Sequence, residues 1–591
     1  MVDPVSPRSL RMPRRQALGA LSATAVAAAA GGVLQPLPAF ADQPRSPYPK
    51  GIEPTELFVV DRSGLTGDEA IMIATLQGLL ARPGERRQGP AIYLDLPNGY
   101  RLWLDDLTER YGLPARRADD PWGLVDRFAD RVAGYVLYRS GGPTINVATT
   151  VAGVSRGIAV AEGDEQAAIE HGLRRLADVR DRDDAWAWQT YRGRLRDDLV
   201  VEQKADPEVG LFTHQLRDYA TMAGAFTFYD GNSEFRKAVV EDLDADAAVI
   251  GWGDARQGEH SFVGVSSAAG VATLPGDWAA NLACLSGITT RTLRQRAPVR
   301  PRTPEPGRHH VAFVVTDGDN VQWMLNDLPT SENWFGSPRR GTFDLGWGVP
   351  PSAIDLAPSV LDWYYRNAAT GRHQDRFVVG PSGGGYLYPS RYPRDELKLH
   401  TTRLARAMER ADLGVVQILD FEAFDARGLW ENYLRHDQIK GLVYLEYSRY
   451  DGLRGRVRWV EDKPVISARS MLWDGLSSPG PGDRDAQCGR HGSDVARRLL
   501  GGDAALLEHE PGRSRPRRRQ PGAACLRGHA GRPGRDDGRG RPALILTRRR
   551  GRRRQRRRSA RCRRSTGPPR VPSGGSGPAG PRRTGRRRSP A

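Results

Sequence analysis

From Pro54 onward, short apolar runs alternate with longer stretches in which apolar and polar positions recur with a helical period. That alternation predicts an α/β architecture. Leu57-Phe58-Val59-Val60 reads as a strand, and Thr66 opens a helix behind it. Thr66 and Glu69 stand at capping-box spacing, while Ile71, Ile73, Ala74, Leu76 and Leu80 supply the apolar side. Ala91-Ile92-Tyr93-Leu94, Tyr135-Val136-Leu137-Tyr138, 157–161 and 247–250 read as further strands. These predict one open-sheet α/β module over 53–150 and a second over 151–295. Gly251-Trp252-Gly253-Asp254, after the last of these strands, reads as a plain turn.

Pro298, Pro301, Pro304 and Pro306 make 296–308 a stiff linker. Beyond it the units become more regular. Val311-Ala312-Phe313-Val314-Val315, 343–349, 376–379, 414–419 and 441–445 read as five buried strands, with helical stretches such as 396–411 between them. The expectation is an incomplete (β/α)8-like barrel domain over 309–476.

Composition changes the picture past that point. The whole chain has 88 basic and 70 acidic residues, a net charge of +18. Residues 481–591 alone hold 32 Arg, no Lys and 8 acidic side chains, a net +24, so the first 480 residues are net −6. The last aromatic residue is Trp473. A segment without aromatics and with few aliphatics cannot bury enough surface to offset chain entropy. Residues 477–591 are therefore expected to be a disordered tail. A basic arm for an anionic polymer is one reading; an out-of-frame product of a GC-rich gene explains the Lys-free, Arg/Gly/Pro-rich composition better. No specific nucleic-acid partner is expected, because that case rests wholly on the tail. Cys488, Cys525 and Cys562 lie there too, leaving Cys284 alone in the body, without a disulfide partner or a Cys-based metal site.

Arg14-Arg15, an apolar Ala-rich run over 17–33 and Ala39-Phe40-Ala41 form the pattern of a twin-arginine signal peptide over 1–41. The expected product is secreted or extracytoplasmic, with no membrane span once the signal is cleaved.

The candidate chemistry lies at the strand ends. In α/β barrels the residues at the C-terminal ends of strands converge on one face. Here these are Asp317, Asp319 and Asn320, then Trp347, then Asp420 and Glu422, then Glu446. Paired carboxylates suit glycosidic cleavage: one donates a proton to the leaving oxygen while the other attacks or activates water. Acidic residues at strand ends are also routine helix caps and turn formers. Asp317 and Asp319, two apart beyond a buried strand, repel each other and need compensation, which favours a functional role. The catalytic candidates are thus Asp317, Asp319, Asp420 and Glu446. Trp323, Trp347, Tyr386 and Tyr388 could offer flat faces to sugar rings.

Gly383-Gly384-Gly385-Tyr386-Leu387-Tyr388-Pro389 is the most specific string in the chain. Gly383 and Gly385 would let backbone approach a ligand closely. The string resembles the signature of the GxGYxYP glycoside hydrolase family, as do Thr316-Asp317-Gly318-Asp319-Asn320-Val321-Gln322-Trp323 and, less distinctively, Tyr444-Leu445-Glu446-Tyr447. The resemblance spans about 53–476 and departs after Gly475. It implies a sugar-processing enzyme acting on a carbohydrate substrate, and no catalytic assignment comes with it. No cofactor and no metal is called for. A metal-dependent carbohydrate deacetylase would want His residues at helical spacing, whereas His309-His310 are adjacent and His373, His400 and His436 are scattered. A non-catalytic glycan-binding envelope protein using the tyrosine loop is the other alternative.

Overall fold

The predicted capping box is formed in the computed structural model: the Thr66 hydroxyl accepts from Glu69 N at 3.1 Å, and Glu69 Oε2 accepts from Thr66 N at 2.8 Å. The helix it starts, Gly67–Ala81, is buried on all sides from Ala70 to Ala81. A helix apolar around its whole circumference must be enclosed by other layers. The structure describes residues 45–205, 213–296, 306–450 and 452–472. The expected signal peptide, most of the Pro-rich linker and the tail lie outside these residues.

Three small parallel sheets precede the linker. β1 (Glu53–Asp61), β2 (Gln88–Asp95) and β3 (Ala115–Arg117) run in the order β2-β1-β3. β4 (Tyr135–Tyr138), β5 (Ile158–Ala161) and β6 (Arg175–Asp178) run β5-β4-β6. β7 (Leu199–Glu202), β8 (Phe226–Phe228), β9 (Ala247–Gly251) and β10 (Val271–Leu274) run β10-β9-β7-β8. The architecture is the α/β one expected, but with three sheets where two modules were anticipated. The boundary placed at residue 150 falls inside the helix Thr144–Ser155, which packs on the second sheet and on β8 of the third. β7, β8 and β10 are short, wholly buried runs that carry no alternation to betray them.

The C-terminal part is one seven-stranded sheet. β11 (Val314–Val315), β12 (Leu345–Val349), β13 (Asp375–Val379), β14 (Val415–Asp420) and β15 (Gly441–Glu446) follow one another in parallel. β16 (Val457–Val460) and β17 (Lys463–Ser467) form an antiparallel hairpin, with β17 parallel to β15 and β16 at the edge. Among the described residues β11 pairs only with β12 and β16 only with β17, so the sheet has two free edges. The first strand is shorter than expected: Val311 is exposed, and pairing begins at Val314. One hydrophobic core draws on the first and third sheets and on this one, from Leu57 through Ile250 to Tyr444.

Candidate active site

The loop 383–389 leaves β13 and is built onto the third sheet. Tyr386 N donates to Thr273 O at 2.6 Å, and Thr273 N donates back to Tyr386 O at 3.0 Å. Tyr388 N donates to Ser267 Oγ at 3.0 Å. Gly385 lies so close to β10 that an added Cβ would sit 3.0 Å from Thr273 O. The two tyrosine hydroxyls meet at 3.3 Å, and that of Tyr386 donates to Glu259 Oε1 at 2.8 Å. Tyr447 donates to the same oxygen at 3.3 Å. Glu259 begins the helix Glu259–Ala268 beyond the C-terminal end of β9, and Gly258 before it takes φ 85°.

Asp317 and Asp319 stand at the end of β11 in a loop pressed onto its neighbours. A Cβ on Gly318 would lie 2.0 Å from the Gly348 carbonyl carbon, and one on Gly380 would lie 2.2 Å from Asp319 N. Only glycines at 318 and 380 permit that approach. Asp317 takes the left-handed φ of 56°, and its carbonyl accepts from Asn320 N at 3.1 Å. Burial, then the Glu259 charge, pushes Asp317 up to about 7. Asp319, the more deeply buried, is pushed well above the usual carboxylate range by burial, then by Asp317 and Glu259. Among the described residues no side-chain donor offsets either shift. Glu259, Asp317 and Asp319 therefore form one electrostatically coupled set, ringed by Tyr386, Tyr388, Tyr447 and Tyr450.

The other strand-end carboxylates are spoken for. Asp420 accepts from Ser390 N at 2.7 Å, Ser390 Oγ at 2.6 Å and Phe421 N at 2.8 Å. Burial raises it to about 6 against those three donors. Glu446 accepts from Glu422 N at 3.0 Å on both oxygens, from Tyr444 Oη at 3.1 Å and from Ser448 Oγ at 3.0 Å. Both hold loop backbone around the ends of β14 and β15. Glu422 (φ 49°) is exposed and contributes its N–H to this pinning.

The four aromatic residues expected to offer flat faces to sugar rings are buried in this structure. Trp347 is 2 % exposed, and its indole donates to Asp375 Oδ1 at 2.9 Å. Trp323, 7 % exposed, packs edge-on against Trp334. Tyr386 and Tyr388 are 4 % and 0 % exposed, so their rings are core, while the Tyr386 hydroxyl reaches Glu259. Asn320 precedes the helix Val321–Leu325, and its side-chain oxygen is buried without a partner. Gly383 and Gly385 do admit close approach, but of the protein's own His400 and Thr273. Glu259 escaped the sequence reading, although its place just beyond Gly251-Trp252-Gly253-Asp254 was a usable signal. That turn is part of the site: the Trp252 ring lies parallel to Tyr386 at 6.4 Å.

Comparison with known proteins agrees with this domain order. The GxGYxYP domains match in four consecutive parts: the first over 56–130, the second over 132–195, the third over 197–287, and the "GxGYxYP putative glycoside hydrolase C-terminal domain" over 307–487. The last match runs past the boundary placed at 476. No curated protein matches. A crystal structure described as a "putative hydrolase" from Bacteroides thetaiotaomicron superposes with a TM-score of 0.65 at 32 % identity, over 76 % of this chain and 85 % of that one. With four successive domains matched in order, the chain belongs to the GxGYxYP family.

Proposed function

We propose that the protein is an exported glycoside hydrolase in which Asp317 and Glu259 are the working pair of carboxylates. The observation that carries this reading is Glu259 held by the Tyr386 and Tyr447 hydroxyls, with a tightly seated Asp317-Asp319 pair at one strand end near enough for the Glu259 charge to push both upward. A general acid serves best with a pKa near the working pH. Asp317, part-exposed and raised to about 7, meets that condition and donates to the glycosidic oxygen. Glu259, held as an acceptor by the Tyr386 and Tyr447 hydroxyls, attacks the anomeric carbon or takes a proton from water. Burial holds Asp319 well above the usual carboxylate range, which favours its neutral form and spares the site a further negative charge beside Glu259.

The family and the neighbouring structure supply the coarser statement, a hydrolase. Export rests on the twin-arginine pattern at Arg14-Arg15; among the described residues no helix is long and apolar enough to cross a membrane. A glycan-binding role through the tyrosine loop has less support, because both tyrosine rings are buried. For a deacetylase, the described residues hold no group of three His, Cys, Asp or Glu suited to a metal ion.

The test uses a panel of aryl glycosides. Asp317→Asn should lose about a hundredfold or more in kcat on substrates with poor leaving groups, and far less on nitrophenyl glycosides, whose departure needs little protonation. Glu259→Gln should lose activity on both. Parent-like turnover of the poor-leaving-group substrates by either variant would overturn the assignment.

A further inference from the structure

We infer that His400 and Asp246 form a positioning relay that fixes the tyrosine loop from beneath, an inference that rests on the carboxylate site proposed above. His400 lies on the helix Arg394–Ala411 and is buried. Its Nδ1 stands 2.7 Å from Asp246 Oδ1, and its Nε2 stands 3.4 Å from Gly384 N. A backbone N–H can only donate, so Nε2 is the acceptor, and the ring proton sits on Nδ1 and is given to Asp246. One tautomer satisfies both ends.

Asp246 is itself over-determined. It takes φ 56° immediately before β9. Its Oδ1 also accepts from Tyr392 Oη at 3.1 Å, and its Oδ2 from Arg403 Nη1 at 3.1 Å. The Arg403 guanidinium further donates to the Asp246 carbonyl at 2.7 Å. At the other end, Gly383 (φ 141°) is what lets the imidazole come close, since an added Cβ would sit 2.7 Å from Nε2. The opposite side of Gly384 is held too: its carbonyl accepts from the buried Tyr48 hydroxyl at 3.1 Å. Both polar groups of one glycine are thus gripped by side chains remote in sequence, two residues before the tyrosine that holds Glu259.

The relay links the loop to both ends of β9. Asp246 precedes that strand and Glu259 follows it, and the loop between them is paired with β10 at Thr273. His400 touches no reacting atom in this arrangement. It is a positioning residue, and its effect should be read in the geometry of the loop and in kcat.

Two substitutions separate the halves of the relay. His400→Gln can place an acceptor where Nε2 stands, whereas His400→Asn keeps a donor near Nδ1 and leaves Gly384 N without a partner. Amide hydrogen exchange is followed at Gly384 in the full chain, with kcat and KM measured on the aryl glycoside that the parent cleaves best. In His400→Asn, exchange at Gly384 should quicken by about tenfold or more, because local opening no longer breaks a hydrogen bond, and kcat should fall with KM little changed. His400→Gln should restore both. Equal exchange in the two variants, fast or slow, overturns the relay. Should the Asn variant fail to fold, the Gln variant against the parent decides: retained protection supports the relay and lost protection overturns it. Exchange needs no substrate, so a parent without glycosidase activity would sink the hydrolase reading and leave this test standing.

Discussion

The Tyr386 hydroxyl donates to Glu259 Oε1 at 2.8 Å, joining the loop that names the family to a helix of the third domain 127 residues away. The tyrosine string is therefore a device for holding a carboxylate, and its rings fill core while its hydroxyls face the site. The third domain belongs to the proposed site, because it supplies Glu259 and the strand edge on which the loop is laid.

Tyr386→Phe keeps the ring and removes that donor. A hydrogen bond to a charged group contributes about 1.5–3 kcal/mol, and Tyr447 still reaches the same oxygen at 3.3 Å. The expected result is a fall in kcat of roughly ten- to a hundredfold, with KM close to the parent. Steady-state kinetics on aryl glycosides checks it, and a parent-like kcat would detach the motif from Glu259.

The pH dependence follows from Asp317. Its folded value is about 7 against an ordinary 3.8, so between these values the folded chain binds the extra proton. Where the native state holds more protons than the unfolded one, stability falls as pH rises. The contribution of Asp317 is complete below about 4 and is lost as pH rises through about 7. Asp317→Asn should flatten this dependence and melt higher than the parent at pH 8, with the difference shrinking toward pH 4. On the activity side, the alkaline limb of the parent should fall near 7 and should be missing from the residual activity of Asp317→Asn. Melting scans and kcat/KM profiles over pH 4–9 read the two effects separately.

Gly318→Ala tests the tight seat of the aspartate loop. The new methyl would meet backbone of Gly348, not a flexible side-chain end, so the loop itself must move. Overpacking of this kind costs about 1–3 kcal/mol. A shift of even an ångström at a catalytic group can cost about a hundredfold in rate. The variant should fold with a reduced melting temperature and lose most of its activity; full activity would place the reacting group elsewhere.

Much of the fold could be read in the chain because its signals are local. The capping box at Thr66 and Glu69 spans four residues, and β12 to β15 are apolar runs bounded by turns. The site divides along the same line. Asp317 and Asp319 stand out because two carboxylates two apart repel each other and need compensation. The partners of Asp420 were not legible in the sequence, since what occupies it is Ser390, thirty residues away, brought there by the tyrosine loop. Glu259 is an ordinary helix-starting glutamate until Tyr386 is folded against it. Trp347 read as a platform because its place in β12 does not reveal which face meets Asp375.

The helix carrying Glu259 has its own buried support, and this gives the last prediction. Arg236 and Glu202 are fully buried and pair twice, at 2.8 and 2.9 Å. Arg236 also donates to Ser266 Oγ at 3.1 Å and to Phe262 O at 3.3 Å, both on the helix Glu259–Ala268. Removing one member of such a pair leaves an uncompensated charge out of water and costs about 3–5 kcal/mol, whereas replacing both with apolar groups of similar volume is often near neutral. Arg236→Met alone should unfold at markedly lower denaturant, and the Glu202→Leu/Arg236→Met double variant should regain most of that loss. Activity should not return with it, because the double variant still lacks the two donors that fix the helix beneath Glu259. Chemical denaturation paired with kinetics on the same preparations distinguishes the two outcomes. Full recovery of activity in the double variant would mean that the helix is set by its packing and not by the Arg236 hydrogen bonds.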